Sequence, residues 1–309
     1  MYLSWVQNEK RTLGLYLLIV FVISIPVEVL WIMYGGSGTG LAALLMLLPA
    51  IVAIILKLVY FRKEPLLGLG LGKKPVYYLL ALVIPLVYIG LSYSLYWLFV
   101  PEAYAGPSTF IGELSKAFPV QNPNLALILV LIAVSILSNT PITLGEELGW
   151  RGLMFPLMNK LWGRNNALIT SGLIWAAWHL PVLISGNYMP GASVSYKVPM
   201  FIISMLACTV IVSWLRMKSG SVWPAVLWHS AHNYLDQNVF SQMTNSQNSA
   251  YFIGETGFIT ASIAVILAVL ILVFGKFDSP DATPEVVEPK SSSIPTDVAV
   301  EDQSAGPAD

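Results

Sequence analysis

The sequence predicts an all-α protein, a polytopic membrane bundle of about eight transmembrane helices. Of its 309 residues, 56% are hydrophobic and only 11% are charged, whereas a soluble globular domain usually carries about a quarter charged residues. Apolar stretches of about 20 residues, the length that spans a bilayer, recur along the chain. Lysine and arginine fall in alternate connections between these stretches. These three observations together indicate an integral membrane protein.

Eight stretches are candidate spans. In chain order they are Leu13–Met33, Gly40–Tyr60, Val76–Val100, Leu125–Leu144, Ala167–Ser185, Val198–Leu215, Val222–Val239 and Phe258–Phe274. The first is longer than a signal-peptide core of roughly 7–15 residues and no small-residue cleavage site follows it, so an uncleaved helix is predicted. The seventh is the weakest by hydropathy. Pro141 should kink or break the fourth helix, with further helix, re-entrant or continuous, from Glu146 to Lys160.

The positions of lysine and arginine predict the orientation in the cell membrane. One set of connections holds Lys10, Arg11, Arg62, Lys63, Lys73, Lys74, Lys160, Arg164, Arg216, Lys218 and Lys276. The opposite connections hold only Lys116 and Lys197. Because cytoplasmic loops are enriched in these residues, both termini are predicted to be cytoplasmic. Scattered among short loops, they form no surface suited to nucleic acid.

The chain is predicted to divide into a membrane domain, residues 1–277, and an acidic tail, residues 278–309. Eight of the seventeen acidic residues lie after Lys276. The tail is rich in Pro, Ser, Asp, Glu and Val and is predicted to be disordered, because it has too few apolar residues for a core. A solvated tail is favoured over a regulatory docking segment. The single cysteine, Cys208, lies in an apolar run and cannot form an intrachain disulfide.

Two adjacent glutamates, Glu146 and Glu147, follow an uncharged run that extends from Asn122 to Gly145. A charged side chain within a membrane costs roughly 2.5–3.5 kcal/mol on insertion scales and usually marks function. Glu147 and Arg151 are four residues apart on one helical face, the favourable order for an ion pair. Glu146 points about 100° away and is left to face a cavity, where it could act as a general base toward water.

All three histidines lie in two short stretches, one holding His179 and the other His229 and His232. With a helical rise of ~1.5 Å per residue, Glu146, His179 and His229 lie at a similar membrane depth. His229 and Asn233 are one turn apart, so both side chains could stabilise an oxyanion. His232 is offset by one position and is expected to face elsewhere.

A zinc site is the chemical alternative. Histidine and carboxylate are standard zinc ligands, so Glu146, His179 and His229 could form a metal site across three helices. The two-histidine, four-residue spacing of the usual zinc-protease helix is absent, and spacing alone does not show a metal site.

Three motifs resemble those of the CPBP family of intramembrane proteases, over residues 144–233. They are Glu146-Glu147-x-x-x-Arg151, the aromatic Trp175 ahead of His179, and His229-x-x-x-Asn233. The family comprises type II CAAX prenyl endopeptidases and bacteriocin-processing or self-immunity (Abi) membrane proteins. Its members are described both as zinc metalloproteases and as metal-independent glutamate-type proteases.

The resemblance implies an eight-helix bundle enclosing a conical cavity in the membrane. It implies that Glu146 and His179 activate water, while His229 and Asn233 stabilise the oxyanion. The partners implied are the lipid bilayer and a peptide or protein substrate, lipidated in the CAAX branch. Trp175 departs from the pattern, since phenylalanine is typical there; it keeps an aromatic wall and is expected to narrow the cavity.

The function predicted from the residues and the resemblance is endopeptidase activity by one-step attack of activated water, without a covalent intermediate. No serine or cysteine lies beside a histidine in a way that suggests a nucleophile, and Glu147 remains an alternative base. A non-catalytic self-immunity or scaffold protein that uses the same cavity is the second hypothesis. A proton-coupled transporter with Glu146 as relay is the third, and it is disfavoured because no repeated halves are visible.

Overall fold

The protein is described by a computed structural model that covers residues 2–35, 40–60, 67–72 and 74–277. Within these ranges the secondary structure is helical, and the strand-like pairing is confined to an isolated bridge between Tyr104 and Thr244. The predicted all-α fold class is confirmed. The predicted tail, residues 278–309, lies outside the described residues.

The helices follow the order of the predicted spans. They are α1 (Tyr2–Tyr34), α2 (Leu41–Tyr60), α3 (Val76–Phe99), α4 (Ser108–Ala117), α5 (Leu125–Glu147), α6 (Phe155–Trp162), α7 (Arg164–Ile184), α8 (Val194–Ser219), α9 (Trp223–Tyr234) and α10 (Phe258–Phe274). Six helical stretches in the described part of the chain are long and apolar enough to cross a membrane: α1, α2, α3, α5 continued through α6, α7 and α8. The seventh and eighth predicted spans correspond to the shorter α9 and α10, which have 12 and 17 residues.

Of the kink or break expected at Pro141, the structure excludes the break. Helix α5 is continuous through Pro141 to Glu147. The irregularity lies further on, where residues Leu148–Met154 form a π-helical segment before α6 begins. A proline removes one backbone donor, and neighbouring helices commonly compensate for this in membrane bundles.

A second π-helical segment, Leu235–Phe240, follows α9 directly. Each π segment therefore begins within two residues of a predicted site residue, Glu147 in one case and Asn233 in the other. Such segments insert a residue into the helix and often occur at functional sites.

The helices meet at two ends of the bundle. At what we call the basic end, contacts join residues near the start of α1, the loop before α3, the α6–α7 corner, and the ends of α8 and α10. The pairs are Glu9–Lys160, Gly68–Val222, Arg151–Arg216 and Trp214–Gly275. At the opposite end, the loop end, the end of α1 and the loops after α3, α7 and α9 meet. The pairs are Ile32–Asn187, Ala103–Asn245, Tyr96–Ser246 and Ser193–Tyr251.

Two glycines bring α2 against the segment that carries the glutamates. A side chain at Gly145 would meet the backbone of Met46 and Leu47, and one at Gly149 would meet Tyr16 and Pro49. The absence of a Cβ allows the helices to approach closely, which is a common device in membrane bundles. The glutamates are thereby held in the interior and turned away from lipid.

Candidate active site

A cavity of about 460 Å³ lies in the half of the bundle nearest the loop end. Its wall includes Glu146, His179, His229 and Asn233, so the four predicted catalytic side chains, which come from three helices, line one space. The similar depth expected from helical rise explains why they meet. Their catalytic roles remain predictions.

Glu146 lies in the cavity wall and is only 2% exposed. Its Oε2 accepts hydrogen bonds from two indoles, Trp175 Nε1 at 3.0 Å and Trp150 Nε1 at 3.3 Å. Its Oε1 accepts none from the described residues. One oxygen is therefore fixed and the other is left for a water molecule or a substrate, as a general base requires.

The ring of His179 is oriented by the backbone one turn earlier in α7. Its Nδ1 lies 2.8 Å from the carbonyl oxygen of Trp175. Because a carbonyl only accepts, Nδ1 carries a hydrogen and donates it, and in the neutral ring Nε2 then keeps its lone pair. The ring also contacts Tyr188 in a stacked arrangement, with centroids 5.9 Å apart.

Glu147 links His229 to Arg151 on the side of α5 away from the cavity. Its Oε1 is 3.1 Å from Arg151 Nη1, which is the ion pair predicted from their spacing, and 2.8 Å from His229 Nδ1. All three side chains are at least 94% buried. The carboxylate accepts a hydrogen bond from the Nδ1–H of His229. His229 Nε2 is then an acceptor in the neutral ring and a donor in the doubly protonated ring.

Trp175 contacts more of the candidate active-site residues than the sequence suggested. The guanidinium of Arg151 lies over its ring, 4.1 Å from the centroid. The rings of His179 and His229 lie edge-on, with centroids at 6.0 and 5.7 Å. The departure from phenylalanine adds a donor, since the indole N–H reaches Glu146. Trp175 is thus more than an aromatic wall.

His232 lines the same cavity and does not face elsewhere, contrary to the expectation from its offset. Its ring stacks against Trp228 and Tyr88, with centroids at 5.2 and 5.8 Å, and Nδ1 hydrogen-bonds the Tyr88 hydroxyl. The cavity is wide enough that residues on two neighbouring faces of α9 line it. The expectation from sequence assumed that only one face of this helix would do so.

Two buried carboxylates on the loop-end side of the cavity escaped the sequence analysis. Asp236 Oδ1 accepts a hydrogen bond from Tyr93 at 3.0 Å. Glu255 accepts from Tyr188 at 2.6 Å and from Gln237 at 2.9 Å. Glu255 lies in a loop outside any apolar stretch, so its approach to the cavity has no periodic signal in the sequence.

Burial alone would raise the pKa of the Glu255 carboxyl. Interaction with His232, whose Nε2 is 3.8 Å away, and hydrogen bonds from Tyr188 and Gln237 outweigh burial and lower the pKa from 4.5 to about 2. Glu255 is therefore ionised at neutral pH. Through Tyr188, which stacks on His179, it also ties the loop after α7 to the loop before α10.

The side-chain positions do not support the zinc alternative. In the described part of the chain, no group of three or more His, Cys, Asp and Glu side chains is arranged to hold a metal ion. Glu146, His179 and His229 therefore do not form a metal site as the side chains stand.

Comparison with known proteins identifies the same central segment. Residues 121–235 match a family described as type II CAAX prenyl endopeptidase Rce1-like. A protein named CAAX prenyl protease 2, from Methanococcus maripaludis, is 28% identical over 127 residues, which are 40% of this chain and 44% of that protein. The match thus spans less than half of either sequence.

The matched segment contains the three motifs and part of the cavity wall. Over this segment the chain is similar to the Rce1-like type II CAAX prenyl endopeptidases, which confirms the resemblance predicted from the motifs. The first and last helices lie outside the match.

Proposed function

We propose that the protein is an intramembrane endopeptidase of the CAAX type that hydrolyses a peptide bond with water activated by Glu146 and His179. The observation that supports the proposal is that hydrogen-bond acceptors and hydrogen-bond donors line the same cavity. Glu146 and His179 offer acceptor atoms, Oε1 and Nε2, while His229 and Asn233 offer donors.

In the proposed reaction, water is held by Glu146 Oε1 and attacks the carbonyl carbon of the scissile bond. The water proton passes to the carboxylate, assisted by His179, as the C–O bond forms. The carbonyl oxygen becomes an oxyanion, which accepts hydrogen bonds from His229 Nε2 and the Asn233 amide. The tetrahedral intermediate collapses when the C–N bond breaks, and the proton on Glu146 moves to the departing nitrogen.

Glu147 and Arg151 act as positioning residues in this proposal. Glu147 holds the His229 ring and favours the doubly protonated form that can donate from Nε2. Arg151 neutralises the remaining charge and is itself fixed by the Trp175 ring and by Thr209, whose hydroxyl is 3.4 Å away. Neither side chain needs to touch the substrate.

The test is a comparison of protein N-termini and C-termini in membranes of cells that express wild type or the Glu146→Gln variant. Fragments present only with wild type are expected, and they identify the substrate. Glu113→Gln is the matched control, because Glu113 is 55% exposed, pairs with Lys116 and lies outside the cavity. Fragment sets that are identical for wild type and Glu146→Gln, with both proteins stably inserted, would favour the non-catalytic binding hypothesis instead.

A further inference from the structure

Aromatic side chains surround the imidazole ring of His179. Trp178 and Phe201 meet it edge-on, with centroids 4.9 and 5.4 Å away. Trp175 is also edge-on, whereas Tyr188 stacks on the ring with an angle of 28° between the two planes. The edge-on rings belong to α7 and α8, but Tyr188 belongs to the loop after α7. The stacked contact therefore depends on how that loop is held.

The hydroxyl of Tyr188 is anchored by Glu255, in the loop before α10. It donates a hydrogen bond to Glu255 Oε2 at 2.6 Å, and both residues line the cavity. Burial, and then the carboxylate of Glu255, raise the pKa of Tyr188, so the phenol stays protonated and can donate. Hydrogen bonds that involve an ionised group are roughly twice as strong as those between neutral groups. Tyr188 is thus fixed at its hydroxyl as well as at its ring.

The other oxygen of Glu255 is held from α9 and from the segment that follows it. Oε1 accepts a hydrogen bond from Gln237 at 2.9 Å and lies 3.8 Å from Nε2 of His232. The ring of His232 is in turn hydrogen-bonded through Nδ1 to Tyr88 of α3. The group that anchors Tyr188 is therefore itself fixed by the helices.

The backbone of the loop after α7 is also held on both sides of Tyr188. Met189, the next residue, has a φ of +47°, a left-handed conformation that is uncommon outside glycine. Such conformations persist only where surrounding contacts determine them. The Asn187 amide donates to the carbonyl of Ile32 on α1 at 3.1 Å. Lys197 Nζ on α8 donates to the carbonyl of Tyr188 at 3.5 Å.

We propose that Tyr188 is a positioning residue for His179, and that its hydrogen bond to Glu255 sets the angle at which His179 Nε2 faces the reacting water. The proposal rests on the proposed function for the role of His179 in activating water. Tyr188 and Glu255 exchange no proton with the substrate and do not touch the reacting atoms. A misplacement of about 1 Å can cost about 10²-fold in rate, so the anchor affects turnover without taking part in it.

The first test asks whether Tyr188 and Glu255 act as a unit. Tyr188→Phe keeps the stacked ring and removes the hydroxyl, while Glu255→Leu removes both acceptor oxygens. Turnover is measured on purified full-length protein in liposomes, with a peptide that spans the cleavage site found in cells. In the wild-type background, we expect Tyr188→Phe to lower kcat by at least about 10-fold with little change in KM. In the Glu255→Leu background, the same substitution should change kcat by less than about 2-fold, because the bond is already absent.

Tyr78→Phe is the matched control. It also removes one tyrosine hydroxyl, which donates to the carbonyl of Leu71 at 2.7 Å at an exposed position outside the cavity wall. It should keep the kcat of wild type. A Tyr188→Phe variant with wild-type kcat, or with the same loss in both backgrounds, would overturn the proposal.

The second test needs no turnover and no Glu255 variant. Full-length protein in detergent, labelled with ¹³C at histidine Cε1, has three histidines to observe by NMR, and His179→Gln identifies one signal. We expect Tyr188→Phe to move the His179 signal toward the position of free histidine, and Tyr78→Phe to leave it in place. An unmoved signal in Tyr188→Phe would overturn the proposal even if kcat falls.

The two tests let the positioning role and the proposed function fail separately. A His179 signal that moves in Tyr188→Phe, with no turnover by wild type, would leave the placement of His179 by Tyr188 standing and remove the proposed activity. Turnover by wild type with an unmoved signal would leave the activity standing and remove the positioning role.

Discussion

At the scale of single residues, the most informative contact is the pair of indole hydrogen bonds to Glu146 Oε2. Trp150 lies four residues after Glu146, in the π-helical segment that continues α5, and Trp175 lies on α7. The carboxylate is therefore held by two helices. A fixed carboxylate needs less reorganisation when it accepts a proton from water. The tryptophan at position 175 therefore supplies a hydrogen-bond donor that the phenylalanine typical of the motif could not.

Replacement of Trp175 with phenylalanine should lower kcat with little change in KM. The ring over Arg151 is retained, but the donor to Glu146 is lost, and a hydrogen bond to a charged group contributes about 1.5–3 kcal/mol. We expect a fall in kcat of roughly 10-fold or more, measured on purified protein in liposomes. Trp162→Phe, at an exposed position of α6, is the control. A Trp175→Phe variant with wild-type kcat would show that the indole bond has no catalytic role.

The Glu147→Gln substitution should lower kcat by about 10²-fold, the usual effect of losing an oxyanion donor. The amide still fits the space, but it no longer stabilises positive charge on His229. Arg151 also loses its buried counter-ion, which usually costs about 3–5 kcal/mol of stability. The measurements are kcat and KM per folded molecule and the melting temperature in detergent. A loss of stability with kcat unchanged would make Glu147 purely structural.

At the scale of elements, the helices were predictable and their irregularities were not. Long apolar runs define α2, α3 and α10 almost to the residue, because a spanning helix has few other ways to satisfy its backbone. The π segments after Glu147 and Asn233 carry no signal in composition, since they depend on packing against α2 and α3. Pro141 illustrates the same limit, because α5 stays continuous through it within the bundle.

The close approach of α2 to α5 predicts a strong effect of a small substitution. Gly145→Ala places a methyl group against the backbone of Met46, and overpacking of this kind costs about 1–3 kcal/mol. Gly112→Ala, in the exposed middle of α4, has open space and should be neutral or stabilising by about 0.5–1 kcal/mol. Melting temperatures in detergent compare the two. Equal effects would contradict close packing at Gly145.

At the scale of the whole molecule, the sequence predicted which spans would bring the candidate catalytic groups together, because motif residues at equal depth meet in a bundle. It did not predict the loop-end side of the cavity. Glu255 and Tyr188 lie in connections without periodicity, and only the tertiary fold places them beside His179 and His232. Loop residues of this kind cannot be predicted from membrane depth or from the spacing of motif residues.

The ion-pair and hydrogen-bond network of Glu255 predicts acid sensitivity. Its pKa is about 2 in the folded protein and 4.5 ordinarily, so the unfolded state binds the proton more readily. The resulting stabilisation is complete above about pH 4.5 and is lost as the pH falls toward 2. Melting temperatures of wild type should therefore decrease over this window. Glu255→Gln should be less stable at neutral pH and show a smaller decrease; parallel curves would contradict the assignment.

The central claim is that Glu146 activates water, and the most direct test is turnover by purified protein in liposomes. The substrate is a peptide that spans the cleavage site found in cells, and the proteins are wild type, Glu146→Gln and Glu113→Gln. General base catalysis contributes about 10²–10⁴-fold, so Glu146→Gln should lose at least about 10²-fold in kcat while Glu113→Gln keeps wild-type activity. A Glu146→Gln enzyme that retains kcat within a few-fold of wild type would contradict the claim.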